Sequence, residues 1–261
     1  MISLANTKLI ITLAFLVILY SLELTNPFFK NRKNKVSHDT KNISLGILNS
    51  IIISLLFATT LFLASSSKFA RDHGLINNLS LNPILTIIAI VLLFDLWMYI
   101  WHVANHKIRL LWRFHKVHHS DKDLDASSAF RFHTGEIFLS TLGRIIIIMI
   151  LGLSINHILI YEIILLPVIL FHHSNTNFPE KYDKYYRLIF ASPHMHWIHH
   201  SDIKEETDSN YGSIFSFWDR FFKTFRLRKD YQNINQGLKE YTDKKFNTFF
   251  GMLKTPFLRI R

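Results

Sequence analysis

Residues 43–64 form a run of twenty-two without one charged side chain. That length suits a helix crossing a bilayer, which needs roughly 17–25 apolar residues. In lipid the backbone must satisfy its own hydrogen bonds, so a continuous apolar run of this length has little choice but helix. Three further stretches point the same way. Residues 9–24 are short for a span; no small-x-small cleavage site follows them, so a retained first helix is expected in place of a signal peptide. Residues 83–101 carry one charge, Asp95, and open on Pro83, which fits the first turn of a helix. Residues 137–171 divide into two arms around the "GLSIN" turn, each between a true span and a re-entrant dip in length. The expected fold is an all-α integral membrane protein with about three transmembrane helices plus a hairpin. Arg144 and Glu162 each lie nine residues from Leu153 in that turn. At 1.5 Å per residue both sit roughly 13 Å from it, so they are expected to pair across the arms, because either charge alone would be costly there.

Hydrophobic residues make up 49% of the 261, and mean hydropathy is +0.17, above the usual soluble domain. The net charge of +11 then reads as cytoplasmic loops facing anionic lipid, not as nucleic-acid binding. Lys30, Arg32, Lys33, Lys35 and Lys41 fill the first loop, and Lys107, Arg109, Arg113 and Lys116 follow the third span. The second loop has only Lys68 and Arg71 against Asp72. The positive-inside rule therefore puts the first loop, the region after the third span and the C-terminus in the cytoplasm. The aromatic and basic residues of "NYGSIFSFWDRFFKTFRLRK" suit either an interfacial segment or an ordinary packed one. No repeat at solenoid spacing and no second soluble domain are evident.

Cysteine is absent, which excludes disulfides, thiolate zinc sites and cysteine-ligated clusters. Histidine is abundant instead: thirteen of the fifteen fall between His102 and His200. On a helix, positions i, i+3 and i+4 share a face. "HVANH" thus aligns His102 with His106, "HKVHH" aligns His115, His118 and His119, and "HMHWIHH" aligns His196, His199 and His200. Eight imidazoles on converging faces would repel if charged and lose hydrogen bonds if buried neutral; metal ions remove both problems. One zinc uses only about four ligands, so eight imply two ions. Imidazole alone does not choose among zinc, copper, iron and nickel. No "HExxH" or "ExxH" occurs, which removes the zinc-protease and carboxylate-bridged di-iron arrangements. His38, His73 and His157 read as ordinary core histidines with a satisfied hydrogen bond. Asp95 lies two helical turns before His102 on the same face and is expected to orient that ring.

In order along the chain, "DLWMYIWHVANH", "LLWRFHKVHHS", "AFRFH", "HHSN", "HMHWIHHS" and "NYGSIFSFWDRFFKTF" resemble the motifs of the fatty acid hydroxylase superfamily, which includes sterol desaturases, C4-methyl sterol oxidases and alkylglycerol monooxygenase. The resemblance covers residues 95–225. It implies a membrane enzyme whose cytosolic helical cap carries a di-iron centre held by histidines. It also implies O2-dependent hydroxylation or desaturation at an unactivated C–H bond of a fatty acyl, sterol-like or ether lipid. Carried over position by position, the iron ligands are His102, His106, His115, His118, His119, His196, His199 and His200. His173 of "HSN" and His133 of "FRFH" join them, while His172 does not match and His194 falls outside the motif, at the surface or behind the ligands. The chain has Thr134 where the family's proline is usual and Lys223 where a glycine often stands. The implied organisation is residues 1–82 as N-terminal transmembrane helices, 83–225 as the catalytic unit and 226–261 as a basic tail. With no Gly-rich dinucleotide fingerprint and no cysteine, the chain needs a separate reductase, ferredoxin or cytochrome as electron donor. Zinc can replace iron in such a site after purification. The alternatives are a membrane metal transporter or store, which would need more ionisable residues within the spans than Asp95, Arg144 and Glu162, and a membrane zinc hydrolase.

Overall fold

A computed structural model describes residues 2–30, 32, 34–241 and 243–258. Lys33 of the first loop and the last three residues of the tail lie outside the described residues. Within them the chain is helical, with isolated β-bridges and no longer strand. Helices α1 (Leu4–Thr25), α2 (Lys35–Ser66), α3 (Lys68–His73), α4 (Pro83–Lys107), α5 (Arg109–His119), α6 (Thr134–Leu151) and α7 (Ile155–His173) come first. Five of them, α1, α2, α4, α6 and α7, are long and apolar enough to cross a membrane. The all-helical membrane architecture expected from the apolar runs is the one observed, three spans and a hairpin.

Local chemistry sets the ends. Ser3 accepts from the Asn6 amide and starts α1 five residues before the apolar run, which lengthens it to 22 residues. Asn82 caps α4 ahead of Pro83. Ser154 and His157 form a reciprocal capping box at the start of α7, so His157 is a capping residue. Gly152 ends α6 at φ 73, and a Cβ there would meet the Asn77 amide nitrogen at 2.4 Å. The α6 and α7 arms, of 18 and 19 residues, are each about 27–28 Å long.

Helix α1 packs on α7 and α2 on α6, while α4 lies against both arms. Ile90, Val91 and Phe94 of α4 share one core with Ile148 and Leu151 of α6 and Tyr161 and Leu165 of α7. Arg144 and Glu162 meet at 3.2 Å, as their equal depth required, and Lys8 of α1 joins Glu162 at 3.0 Å. At the turn end, Leu75 and Ile76 donate to the carbonyls of Ile150 and Leu151. At the other end the chain builds a cap from α5, α8 (Glu180–Tyr186), α9 (Pro193–His199), α10 (Lys204–Thr207), α11 (Phe217–Phe221) and α12 (Phe249–Lys254). The C-terminal ends of α4 and α7 rise into this cap.

Candidate metal centre

Four helices bring nine histidines together. His102 and His106 end α4, His115, His118 and His119 end α5, His173 ends α7, and His196, His199 and His200 belong to α9 and its cap residue. They divide into two clusters. His102, His106, His115, His119 and His199 form one, and His118, His173, His196 and His200 the other, with the facing nitrogens of each set within 4.8 Å of one another. Helix α5 serves both, because His118 points to a different side from His115 and His119. Helix α9 does the same, with His199 in the first cluster and His196 and His200 in the second. The clusters adjoin: the His119 and His200 rings stack at 4.4 Å.

The outer ring nitrogens are anchored. His102 Nδ1–H donates to the Tyr211 carbonyl at 2.9 Å, His199 Nδ1–H to Ser209 at 2.6 Å and His173 Nδ1–H to Ile169 at 2.8 Å. Carbonyls only accept, so each of these imidazoles keeps its proton on Nδ1 and presents a bare Nε2 inward. His115 Nδ1 is held by the Glu136 carboxylate at 2.7 Å. The consequence is sharp at His102 and His199, whose Nε2 atoms face each other at 3.0 Å. His173 and His196 stand 2.9 Å apart, His196 and His200 3.1 Å, and His115 and His119 3.2 Å. Two neutral imidazoles with opposed lone pairs repel unless a cation lies between them. Nitrogens bound to one ion at about 2.0–2.1 Å are about 2.9–3.4 Å apart in octahedral or tetrahedral geometry, which is the observed spacing. His106 leaves both buried ring nitrogens without a hydrogen bond, and His118 and His200 leave Nδ1 so. The donor set fits two metal ions.

Protonation does not relieve the repulsion. Burial, reinforced by neighbouring imidazoles, holds His118, His119, His196 and His200 well below 6.5, and burial takes His199 down to about 3. Trp112 leans at a tilt against His106 and His119, Phe132 stacks on His118, and Tyr211 meets His102, His106 and His199 edge to face, so aromatic rings line the centre.

Residues 87–224, just over half of the chain, match the fatty acid hydroxylase family. The chain belongs to the fatty acid hydroxylase family. The matched region runs from α4 to Thr224 and includes all nine clustered histidines. Relatives of this fatty acid hydroxylase family member include the ornithine lipid hydroxylase of Rhizobium tropici, 30% identical over 62% of this chain and 47% of that protein. Human alkylglycerol monooxygenase is 26% identical over 52% of this chain and 29% of its own length. Human cholesterol 25-hydroxylase is 27% identical over 52% and 49%. The chain therefore spans about half, or less, of the length of these curated relatives. No solved structure matches it.

Two expectations need correction. His133, carried over by motif, stands outside both clusters: its Nδ1 caps α6 by accepting from the Gly135 amide, and its Nε2 meets the Leu253 carbonyl at 3.1 Å. With both nitrogens spent it has none for a metal. Asp95 does not orient His102, since two helical turns separate them by about 10 Å and the Tyr211 carbonyl takes that role. Asp95 instead accepts from the Ile214 and Phe215 amides, Tyr161 and Trp218.

Other histidines have their own places. His172 is buried with Nδ1 unpartnered, its ring 4.1 Å from that of His196. His194 is buried, not at the surface, and is held by Glu180 at 2.8 Å. His38 has its hydrogen bonds satisfied, as expected: Asp121 grips it at 2.8 Å, with Asp39 and Asp125 at 3.3 Å. Burial would raise the Asp121 carboxyl, but His38 and Arg131 outweigh it and hold it well below the usual range. Lys35 joins Glu23, Asp39 and Asp125 in the same network, which ties α1 and α2 to the loop after the second histidine box. Sequence reasoning also missed Glu136 and Tyr211. Only the acid in the first turn of α6 hinted at the former, and nothing local marks Tyr211 as a carbonyl anchor.

Proposed function

We propose that this chain is a membrane-bound lipid hydroxylase whose two histidine clusters hold two iron ions. The observation that carries the reading is the pairing of five and four inward-facing imidazoles at metal-ligand spacing, in a chain of this family. Iron ions bound by these imidazoles would supply the O2 chemistry needed to oxidise an unactivated C–H bond. The protein's own residues do the rest. The carbonyls of Tyr211, Ser209 and Ile169 fix three rings as Nδ1–H tautomers, and Glu136 fixes His115 in the same way. Trp112, Phe132 and Tyr211 keep water from the centre, and the spans give an apolar lipid a path to it. The ornithine lipid, ether lipid and sterol named for the relatives define the substrate classes to try first.

The basic residues after α4 and those between α1 and α2 cluster at the capped end of the bundle. This supports a cytoplasmic cap and an acidic electron donor that docks on it. The test is to strip the purified chain of metal and return ferrous iron, O2 and a chemical reductant in the presence of each lipid. Mass spectrometry should show a product with one added oxygen atom. If ferrous iron restores nothing while zinc alone gives hydrolysis, the oxygenase reading is wrong.

A further inference from the structure

We propose that residues 180–190 and 211–225 form one ledge of the cap that is sunk into the leaflet on the histidine side. Its exposed rim would meet acyl chains and its lysines anionic headgroups. The inference needs the spans but not the reading of the histidines. The two segments are joined directly. Phe190 and Phe215 form a bridge, Ser216 N–H donates to the Ile189 carbonyl at 2.9 Å, and the Ser216 hydroxyl donates to the Arg187 carbonyl at 2.6 Å.

The joined unit hangs from a position inside a span. Asp95 is fully buried and accepts from the Ile214 amide at 3.0 Å, the Phe215 amide at 3.2 Å and the Trp218 indole at 3.0 Å. It lies six residues before Trp101, where the apolar run of α4 ends, or about 9 Å along the axis into the span. Chain that hydrogen-bonds to a membrane-spanning helix at that point is itself below the membrane surface. Non-helical backbone survives there only where protein satisfies its polar groups. Asp95 does so for two amides, which accounts for an ionisable residue inside an apolar helix.

The outward face of the ledge suits lipid. Tyr185 is 66% exposed, Leu188 57%, Ile189 52% and Phe221 73%. The same unit continues into the span core, since Phe190 and Phe215 pack against the cluster that holds Phe94 and Leu165. Lys181, Lys184 and Lys223 are exposed among these side chains, with the first two lying over the rings of Tyr182 and Tyr185. Glu180, the exposed acid of α8, is committed to Arg187 and His194. The rim is therefore apolar, aromatic and cationic, the composition of a surface seated at an anionic membrane interface.

The chain has no cysteine, so single nitroxide labels test this directly. Leu188→Cys and Phe221→Cys would carry the probe. Leu55→Cys on α2 serves as the lipid reference and Gln232→Cys, exposed in the loop that covers the third histidine box, as the water reference. The full chain is placed in vesicles of phosphatidylcholine with phosphatidylglycerol. Electron paramagnetic resonance then compares collisions with O2 and with a water-soluble nickel chelate. The expected O2-to-nickel ratio at positions 188 and 221 is several-fold above that at 232 and close to that at 55. Omitting phosphatidylglycerol should lower the ratio at 221, and Lys181→Glu with Lys184→Glu and Lys223→Glu should abolish that difference. Nickel collision at 188 and 221 equal to that at 232 overturns the immersion. A ratio at 221 indifferent to lipid charge overturns the headgroup contact.

Discussion

Single side chains with the same chemistry have separable duties here, and the duties follow from what each ring nitrogen touches. His199 and His133 are both buried imidazoles near helix ends, yet only His199 turns a bare nitrogen toward other imidazoles. His199→Ala should sharply lower bound metal, measured by elemental analysis, with the protein still inserted in the membrane. His133→Ala should leave metal content unchanged and lower stability by about 1 kcal/mol, the usual worth of a helix cap. Metal loss in both, or in neither, would remove the distinction. Lys223 makes a different point. It adopts φ 60, where an L-residue is strained by about 1–2 kcal/mol, and this explains why a glycine often stands there in the family. Lys223→Gly should be neutral or stabilising by up to about 1 kcal/mol, because glycine loses more freedom on folding. Lys223→Val, β-branched, should destabilise by more. Thermal unfolding of the two variants decides the matter, and equal midpoints would contradict it.

Between elements, charge depth controls how the hairpin is held. Arg144 on α6 and Glu162 on α7 pair at equal distance from the turn, and Lys8 adds a second cation to Glu162 from α1. A double-mutant cycle on Arg144→Ala and Glu162→Ala should give a coupling above about 1 kcal/mol, the double variant being less destabilised than the sum of the singles. Glu162→Ala should be the worse single change, since it strands two cations. Strict additivity would show that the pair contributes nothing. The hairpin was legible because the "GLSIN" turn and the two charges are symmetric in sequence. The third partner was not, because Lys8 lies 154 residues from Glu162 along the chain.

Across the whole molecule, the metal centre and the stability of the bundle are linked through protons. His118, His119, His196, His199 and His200 titrate below 6.5 in the fold because burial disfavours the charged ring. The unfolded chain binds protons first as pH falls, so stability of the metal-free protein rises with pH and is lost below 6.5. For His199 the loss continues down to about 3. Each such group contributes about 1.4 kcal/mol per pH unit in that window. Metal-free protein should therefore show a steep fall in unfolding midpoint from pH 7 to pH 5. Metal-loaded protein should fall less until its ligands protonate and release the ion. A flat profile without metal would mean that the imidazoles are not buried as described.

Sequence alone determined what is periodic and local. Uncharged runs of membrane length can only be helices in lipid, and histidines three and four apart must share a helix face, so spans, boxes and family motifs could all be read along one chain. Tertiary structure decided what depends on which faces meet. It split nine imidazoles into five and four, because α5 and α9 each lie between two neighbours and serve both. It assigned His133 to a cap and Asp95 to the backbone of the 211–219 loop. It also clamped His38 against Asp121 and Asp125, which no spacing in the chain brings near it. Local pattern sets which side a residue faces; the packing of distant segments sets what it finds there.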